Sequence, residues 1–84
     1  MNEKRWWVYI VRCRDGTLYT GMTDDVEKRV AAHNRGTGAK YTRSRTPVTL
    51  LYREELPDRS AALRRESAIK KLPRAEKLRL IGEE

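Results

Sequence analysis

The chain has 84 residues, which is enough for one small domain and too few for an extensive hydrophobic core. Its formal net charge of +7 favours an anionic partner, such as a nucleic acid or an acidic membrane surface. The single cysteine, Cys13, excludes an internal disulfide and cannot by itself form a structural zinc site.

Nothing in the sequence suggests a targeting or membrane segment. No apolar stretch approaches the roughly 20 residues that cross a bilayer, and no apolar run follows a basic start. We therefore expect a cytoplasmic protein without a membrane partner. Because repeats, low-complexity segments and internal linkers are also lacking, we expect residues 1–84 to form a single domain.

The first quarter of the chain predicts a β-hairpin. Residues 6–13 are rich in aromatic and β-branched side chains, which favour strands. Residues 17–22 resume this pattern after the turn-forming pair Asp15-Gly16.

The length of the hairpin loop decides whether Tyr9 and Tyr19 can share a site. A two-residue loop would place the two phenols on opposite faces of the sheet. A three-residue loop, residues 14–16 with Gly16 in the left-handed conformation, shifts the pairing by one and places both phenols on one face. We predict the three-residue loop.

A short helix is predicted after the hairpin. Asp24 is a suitable N-cap, and Glu27 three residues later completes a capping box for a helix that runs to about residue 34. Gly36 ends the helix and opens a polar loop, residues 36–46, that contains no acidic residue.

The second half of the chain predicts one strand and two helices. The apolar residues of the strand at 48–53 do not alternate, so we expect both of its faces to be covered. Asp58 can cap a helix to about residue 72, and Pro73 can start another that ends near Gly82. The order β-β-α-β-α-α predicts an α+β fold in which helices pack on a small antiparallel sheet.

Two of the predicted helices carry a polar group on an apolar stripe. His33 lies on the apolar stripe of the first helix and should face the sheet, with Arg29 one turn away. Glu66 shares a stripe with Ala62 and Ile69 in the second. A carboxylate in such a place needs a cation, a hydrogen-bond donor or a metal to remain charged.

Each of these candidates also has a purely structural explanation. A tyrosine in a small sheet is often a core residue with its hydroxyl at the rim, and a lone histidine is often packed and hydrogen-bonded. Salt bridges would account for the two charged residues: Arg29 with Glu27 or Asp25, and Glu66 with Lys70 or Arg65.

The polar loop is a candidate nucleic-acid contact. Lys40, Arg43 and Arg45 surround Tyr41 in a segment without acids, a pattern suited to phosphate contacts with stacking on an aromatic ring. The cations of the two later helices are expected to form a solvated surface.

The motifs and their spacing resemble the GIY-YIG nuclease superfamily. Trp7-Val8-Tyr9 and Tyr19-Thr20-Gly21 are similar to the two halves of the signature that names it, and the similarity extends over residues 6–72. The segments Lys40-Tyr41-Thr42-Arg43 and Glu66-Ser67-Ala68-Ile69-Lys70 resemble the small single-domain bacterial subgroup.

The resemblance implies a three-stranded antiparallel sheet flanked by helices and a metal-dependent endonuclease that hydrolyses phosphodiester bonds in DNA. Arg29, His33 and Glu66 fall at the positions of the superfamily's helical arginine, its histidine or tyrosine, and its metal-binding glutamate. Two departures point to weaker catalysis. Met22 stands where related excision-repair nucleases often have lysine, and no asparagine occurs after Asn34.

The expected active site consists of Tyr9, Tyr19, Arg29, His33 and Glu66. Mg²⁺ or Mn²⁺ on Glu66 would bind the phosphate, and Arg29 would hold the phosphoryl oxygens. Tyr9 is a candidate to orient or deprotonate the attacking water if a nearby cation lowers its pKa. Tyr19 and His33 would complete the hydrogen-bond network, and His33 is an alternative base.

The leading hypothesis is a structure-selective DNA endonuclease in repair or processing. The chief alternative is a non-catalytic basic nucleic-acid-binding module of the same fold. A third hypothesis is a protein-interaction adaptor whose basic surface binds an acidic partner. Salt-sensitive affinity for nucleic acid separates the third hypothesis from the first two.

Overall fold

The computed structural model describes residues 5–82. Three strands, β1 (Trp6–Arg12), β2 (Leu18–Thr23) and β3 (Thr49–Leu56), form one antiparallel sheet in the order β2-β1-β3. The helices are α1 (Val26–Asn34), α2 (Arg59–Lys70) and α3 (Arg74–Leu80), with a 3₁₀ turn at Lys40–Thr42. The predicted element order and the α+β class are confirmed. None of the helices within residues 5–82 has the length and apolar content that a membrane crossing requires.

The central strand β1 is covered on both faces. Val8 and Ile10 pack with Ala62 and Ile69 of α2 on one face, and all four side chains are fully buried. The opposite face carries a second cluster, which is Tyr9, Val11, Cys13 and Val48. These two clusters form the core on either side of the sheet.

The third strand differs from its prediction. β3 extends to Leu56, beyond the predicted end near Arg53, and it lies at the edge of the sheet. None of its residues is fully buried, but Leu50 packs on the cluster of Tyr9, and Tyr52 and Leu56 pack on the cluster of Val8, so each face is partly covered. Full burial on both faces is found in β1, the middle strand.

The hairpin loop has the predicted three residues. The amide of Gly16 donates to the carbonyl of Cys13 at 2.9 Å, and the amide of Cys13 donates to the carbonyl of Thr17 at 2.8 Å. Gly16 has a φ of 87°, the left-handed conformation that this bulge requires. Tyr9 therefore pairs with Gly21, two positions from Tyr19, and both phenols lie on one face.

The ends of α1 are fixed by two local motifs. Asp25, not Asp24, is the N-cap, because its carboxylate accepts from the amide of Lys28 at 3.1 Å. The predicted capping box with Glu27 is wrong, since two adjacent aspartates offered alternative caps. Gly36, with a φ of 83°, ends the helix as predicted.

The start of β3 is tied to the end of α1 by one side-chain amide. Asn34 donates to the carbonyl of Val48 at 3.2 Å and accepts from the amide of Val48 at 2.7 Å. This pair of bonds closes the loop between α1 and β3 over the Tyr9 face of the sheet. The loop then supplies Thr42, which is fully buried, to the same face.

The helix α2 begins as predicted. Asp58 is its N-cap and accepts from the amide of Ala61 at 2.8 Å. The helix α3 follows Pro73, again as predicted. Apolar side chains of α3 complete the core on the α2 side of the sheet.

Candidate active site

The phenol of Tyr9 lies in a space that only a glycine leaves open. Tyr9 is 1 % exposed, and its ring lies over Gly21 on the neighbouring strand β2. A Cβ atom at position 21 would lie 2.6 Å from Cζ of Tyr9, which is closer than real contacts allow. Gly21 of the second sequence motif therefore leaves the space that the ring of Tyr9, in the first motif, occupies.

The hydroxyl of Tyr9 contacts a completely buried histidine. The Nε2 atom of His33 lies 2.8 Å from the Tyr9 oxygen, and Nδ1 lies 2.7 Å from Oγ1 of Thr42. Gly38 makes room for this ring, because a Cβ atom there would lie 2.8 Å from Cγ of His33. The imidazole faces inward, as predicted from the apolar stripe.

The hydrogen bonds around Thr42 define the tautomer of His33. Thr42 donates its single hydroxyl proton to the carbonyl of Ala39 at 3.0 Å, so its oxygen is an acceptor for Nδ1 of His33. A neutral imidazole with its proton on Nδ1 has an unprotonated Nε2. Tyr9 is therefore the donor to Nε2, and the chain of donors runs from Tyr9 through His33 and Thr42 to a backbone carbonyl.

The pKa values of the two groups follow from burial. Burial raises the pKa of Tyr9 to about 12, although a hydrogen bond and the charge of Arg29 oppose this rise. Burial also lowers the pKa of His33, and the positive charge of Arg29 lowers it further. The lowered pKa that Tyr9 would need as a direct base is thus not found in the resting protein. Its proton instead points at a neutral imidazole.

The other predicted catalytic residues converge on Tyr9. Arg29 hydrogen-bonds to its phenol and lowers the pKa of Tyr9, whereas the negative charge of Glu66 raises this pKa. The ring of Tyr19 meets the ring of His33 edge to face, with 5.5 Å between centroids. Tyr9, Tyr19, Arg29, His33 and Glu66 thus come from four elements to one place.

The structure separates the competing explanations for the charged residues. Glu27 pairs with Arg53 at 2.8 Å, and Asp25 caps α1, so the two proposed partners of Arg29 have other contacts. Glu66 does pair with Lys70, at 3.5 Å, and its side chain is 15 % exposed. Arg65 contacts Glu54 instead, with 2.7 Å between Nε and Oε2.

The loop tyrosine extends the aromatic cluster outward. Tyr41 is 39 % exposed and stacks on Tyr19, with 5.9 Å between centroids and 19° between planes. The guanidinium of Arg45 lies 4.0 Å from the centre of the Tyr41 ring and also contacts Asp15 at 3.0 Å. Lys40 and Arg43 are exposed beside them. Of the four predicted nucleic-acid contacts, Tyr41 and Arg45 are therefore already held by internal interactions.

Sequence reasoning missed two cations beside this cluster. A groove of about 270 Å³ opens next to Tyr19, and its lining is Leu18, Tyr19, Thr20, Tyr41, Lys70 and Lys77. The two lysines were expected on a solvated surface. Of the two, Lys70 has a signal in the sequence, because it lies one helical turn from Glu66 and its side chain therefore points the same way.

A second groove lies on the other side of Gly21 along β2. It measures about 220 Å³ and is lined by Thr23, Asp24, Asp25, Lys28, Arg29, Ala32 and Arg35. Arg29 belongs both to this groove and to the surroundings of Tyr9. Along β2, the residues of the two grooves therefore flank Gly21, and each groove has cations in its wall.

Met22, the residue that follows the second motif, does not face Tyr9. It packs against the apolar cluster of Val8, Ile10, Ala62 and Ile69, on the sheet face opposite Tyr9. A side chain at position 22 therefore points away from Tyr9, and the cation that acts on this phenol is Arg29.

The residues around Glu66 fit only a metal that needs few protein ligands. Within residues 5–82, no group of three or more histidine, cysteine, aspartate or glutamate side chains could hold an ion. Glu66 offers one carboxylate, which is mostly buried. Its distance of 3.5 Å from Nζ of Lys70 is longer than the distance in a hydrogen-bonded ion pair. Mg²⁺ and Mn²⁺ suit such a site, since Mg²⁺ commonly uses one or two carboxylates with water and phosphate oxygens.

Comparison with known proteins identifies the family. The model of the GIY-YIG catalytic domain matches residues 5–79. The chain belongs to the GIY-YIG family. A UPF0213 protein of Halobacterium salinarum is 60 % identical over 70 residues, covering 83 % of this chain and 91 % of the relative. A UPF0213 protein of Staphylococcus saprophyticus is 53 % identical over 77 residues, covering 92 % and 94 %.

Two solved structures share this GIY-YIG fold. The solution structure of a UPF0213 protein from Bacillus halodurans aligns with a TM-score of 0.59 at 43 % identity, covering 92 % of this chain and 82 % of the other. The solution structure of a protein from E. faecalis gives a TM-score of 0.63 at 41 % identity, covering 95 % and 85 %. The similarity thus extends over nearly the whole chain, further than the residues 6–72 expected from the sequence motifs.

Proposed function

We propose that this GIY-YIG protein is an endonuclease that hydrolyses phosphodiester bonds in DNA with a divalent metal ion. The observation that supports this most is the donor chain from Tyr9 to His33 and Thr42, whose phenol is near enough to Arg29 and Glu66 for both charges to act on it. A buried phenol that donates to a neutral imidazole is arranged to pass a proton inward.

In the proposed reaction, Tyr9 and His33 act together as the base. The attacking water gives a proton to the phenolic oxygen of Tyr9 while the phenolic proton moves to Nε2 of His33. The resulting hydroxide bonds to phosphorus, and the bond from phosphorus to the leaving oxygen breaks. Because the proton passes through Tyr9 within hydrogen-bond distance, no free phenolate with its high pKa has to form.

Arg29 and Glu66 serve the phosphate in this proposal. The guanidinium of Arg29 binds the non-bridging oxygens, where charge accumulates in the transition state. Glu66 would hold Mg²⁺ or Mn²⁺, which when bound stabilises charge on the phosphoryl group and on the leaving oxygen. Tyr19 fixes the His33 ring by its edge-to-face contact.

The surface around the site favours a DNA substrate recognised by structure. Lys40 and Arg43 are exposed, and Tyr41 presents a partly exposed aromatic ring. Such groups bind phosphates and stack on bases without reading a sequence. We infer selectivity for branched or single-stranded DNA and a role in DNA repair or processing in the cytoplasm.

The test is a cleavage assay on a panel of branched, single-stranded and duplex DNA with Mg²⁺ or Mn²⁺. Glu66→Ala is expected to abolish cleavage while DNA binding persists, because it removes the metal ligand and not the cationic grooves. Glu76→Ala is the matched control, since Glu76 is exposed and its carboxylate pairs with Arg79. Equal loss in both variants would contradict the role of Glu66.

The raised pKa of Tyr9 and the pairing of Glu66 with Lys70 favour one alternative, a nucleic-acid-binding module without efficient cleavage. Under that alternative, the wild-type protein binds DNA but cuts no substrate on the panel with either metal. Loss of all salt-sensitive affinity for DNA and RNA would instead support an adaptor for an acidic protein.

A further inference from the structure

The ion pair between Glu66 and Lys70 lies where the proposed metal would bind. Glu66 occupies a stripe between two fully buried residues, Ala62 and Ile69, and only 15 % of its side chain is exposed. A charged carboxylate in that position needs a cation nearby. Lys70, one turn along α2, supplies its ammonium at 3.5 Å from Oε2.

This ion pair is loose enough to open. A direct ammonium–carboxylate hydrogen bond measures about 2.7–2.9 Å, so the contact of 3.5 Å is electrostatic and not a tight bond. The side chain of Lys70 is 50 % exposed, and it also lines the groove beside Tyr19 and Tyr41. The ammonium thus has a second location within reach, in the groove that it shares with Lys77.

A divalent ion and the ammonium of Lys70 cannot both occupy the Glu66 carboxylate without strong repulsion. The geometry points to Lys70 as a built-in competitor for the metal: it neutralises Glu66 in the metal-free protein and is displaced into the groove when the ion binds. This inference rests on the proposed function, because it concerns the same carboxylate and the same metal.

The displacement has a consequence for DNA binding. In the groove, the ammonium of Lys70 can contact a phosphate of the DNA, which holds it away from Glu66. DNA would therefore tighten metal binding, and by reciprocity the metal would tighten DNA binding. Lys70 acts here as a positioning residue that couples the two ligands.

The first experiment measures Mn²⁺ affinity of the full chain without DNA, by electron paramagnetic resonance of free Mn²⁺. Lys70→Gln is expected to bind Mn²⁺ about threefold to tenfold more tightly than the wild type, because a competing charge is removed. Lys71→Gln is the matched control, as it changes the net charge equally at an exposed position. Its affinity is expected to stay within about twofold of the wild type.

Two different failures are distinguishable in this experiment. If the wild type and Lys70→Gln bind Mn²⁺ equally, and both bind more tightly than Glu66→Gln, the metal site stands and the competition by Lys70 is overturned. If none of them binds more tightly than Glu66→Gln, the metal site of the proposed function fails, and the inference fails with it. Thermal unfolding of each variant confirms that the protein measured is folded.

The second experiment tests the coupling in a protein that does not cut. In a Tyr9→Phe background, an added single-stranded oligonucleotide is expected to tighten Mn²⁺ binding severalfold. Adding Lys70→Gln to that background should remove most of this tightening, while adding Lys71→Gln should not. Equal tightening in all three proteins would overturn the coupling.

Discussion

On the α2 side of the sheet, Val8 and Ile10 are enclosed by the apolar side chains of Ala62 and Ile69. On the α1 side, the next residue along the same strand, Tyr9, is equally buried but is hydrogen-bonded to His33. Successive residues of β1 therefore serve two purposes, because side chains alternate across a strand. Within β1, Val8 and Ile10 stabilise the fold, whereas Tyr9 takes part in the buried hydrogen bonds that define a proton path.

The largest expected effect is on the rate of cleavage. Tyr9→Phe keeps the ring over Gly21 but removes the hydroxyl that donates to His33, so cleavage should fall about 10²–10⁴-fold. Single-turnover cleavage with saturating metal measures the change. Tyr52→Phe is the control, since Tyr52 lies on the α2 side and donates to Glu54. A comparable loss in that control would remove the functional distinction between the two faces.

The next effect is on stability and belongs to the opposite face. Ile10→Ala should lower the free energy of unfolding by about 2–5 kcal/mol, because it leaves a cavity in the apolar cluster. Cleavage by the folded protein should be little changed at low temperature. Chemical denaturation provides the measurement, with Leu63→Ala as a surface control because Leu63 is 50 % exposed. A large rate loss in folded Ile10→Ala would mean that the faces are not separable.

The smallest effect is on the pH dependence of stability. Since the pKa of His33 is lowered in the folded state, the unfolded chain binds the extra proton first as the pH falls below about 6.5. Neutral His33 therefore makes its full contribution to the free energy of unfolding above that pH. The contribution is lost as the pH falls toward the pKa of folded His33. The slope from this one group is at most about 1.4 kcal/mol per pH unit.

Denaturation of the wild type and of His33→Gln between pH 5 and 8 would reveal this contribution as a difference in slope. His33 is the sole histidine of the chain, so nuclear magnetic resonance can also follow its two ring nitrogens directly. A proton found on Nε2 in place of Nδ1 would contradict the direction of the donor chain.

Much of this architecture could be predicted because it depends on local spacing. The loop at residues 14–16 follows from requiring Tyr9 and Tyr19 on one face. The inward direction of His33 follows from the stripe of α1. Both arguments use only the periodicity of a strand or a helix, and the structure agrees with both.

Other features depend on arrangements that no local pattern encodes. Strand order decided that β3 is an exposed edge, and adjacent aspartates made the cap of α1 ambiguous. The raised pKa of Tyr9 results from burial by distant segments. Lys70 and Lys77 meet in one groove although Pro73 interrupts the helix between them, so their proximity requires the tertiary structure.

The position of Gly21 beneath the Tyr9 ring makes the site depend on the pairing register of β1 and β2 and not on the length of the loop that joins them. A change of loop length that keeps Arg12 opposite Leu18 also keeps Tyr9 opposite Gly21, because paired residues stay on one face of the sheet. A slip of the pairing by one residue would instead turn every β2 side chain to the other face. After such a slip, Tyr19 would lie among the apolar side chains, and Gly21 would no longer lie beneath the phenol of Tyr9, although both motifs would be intact in sequence.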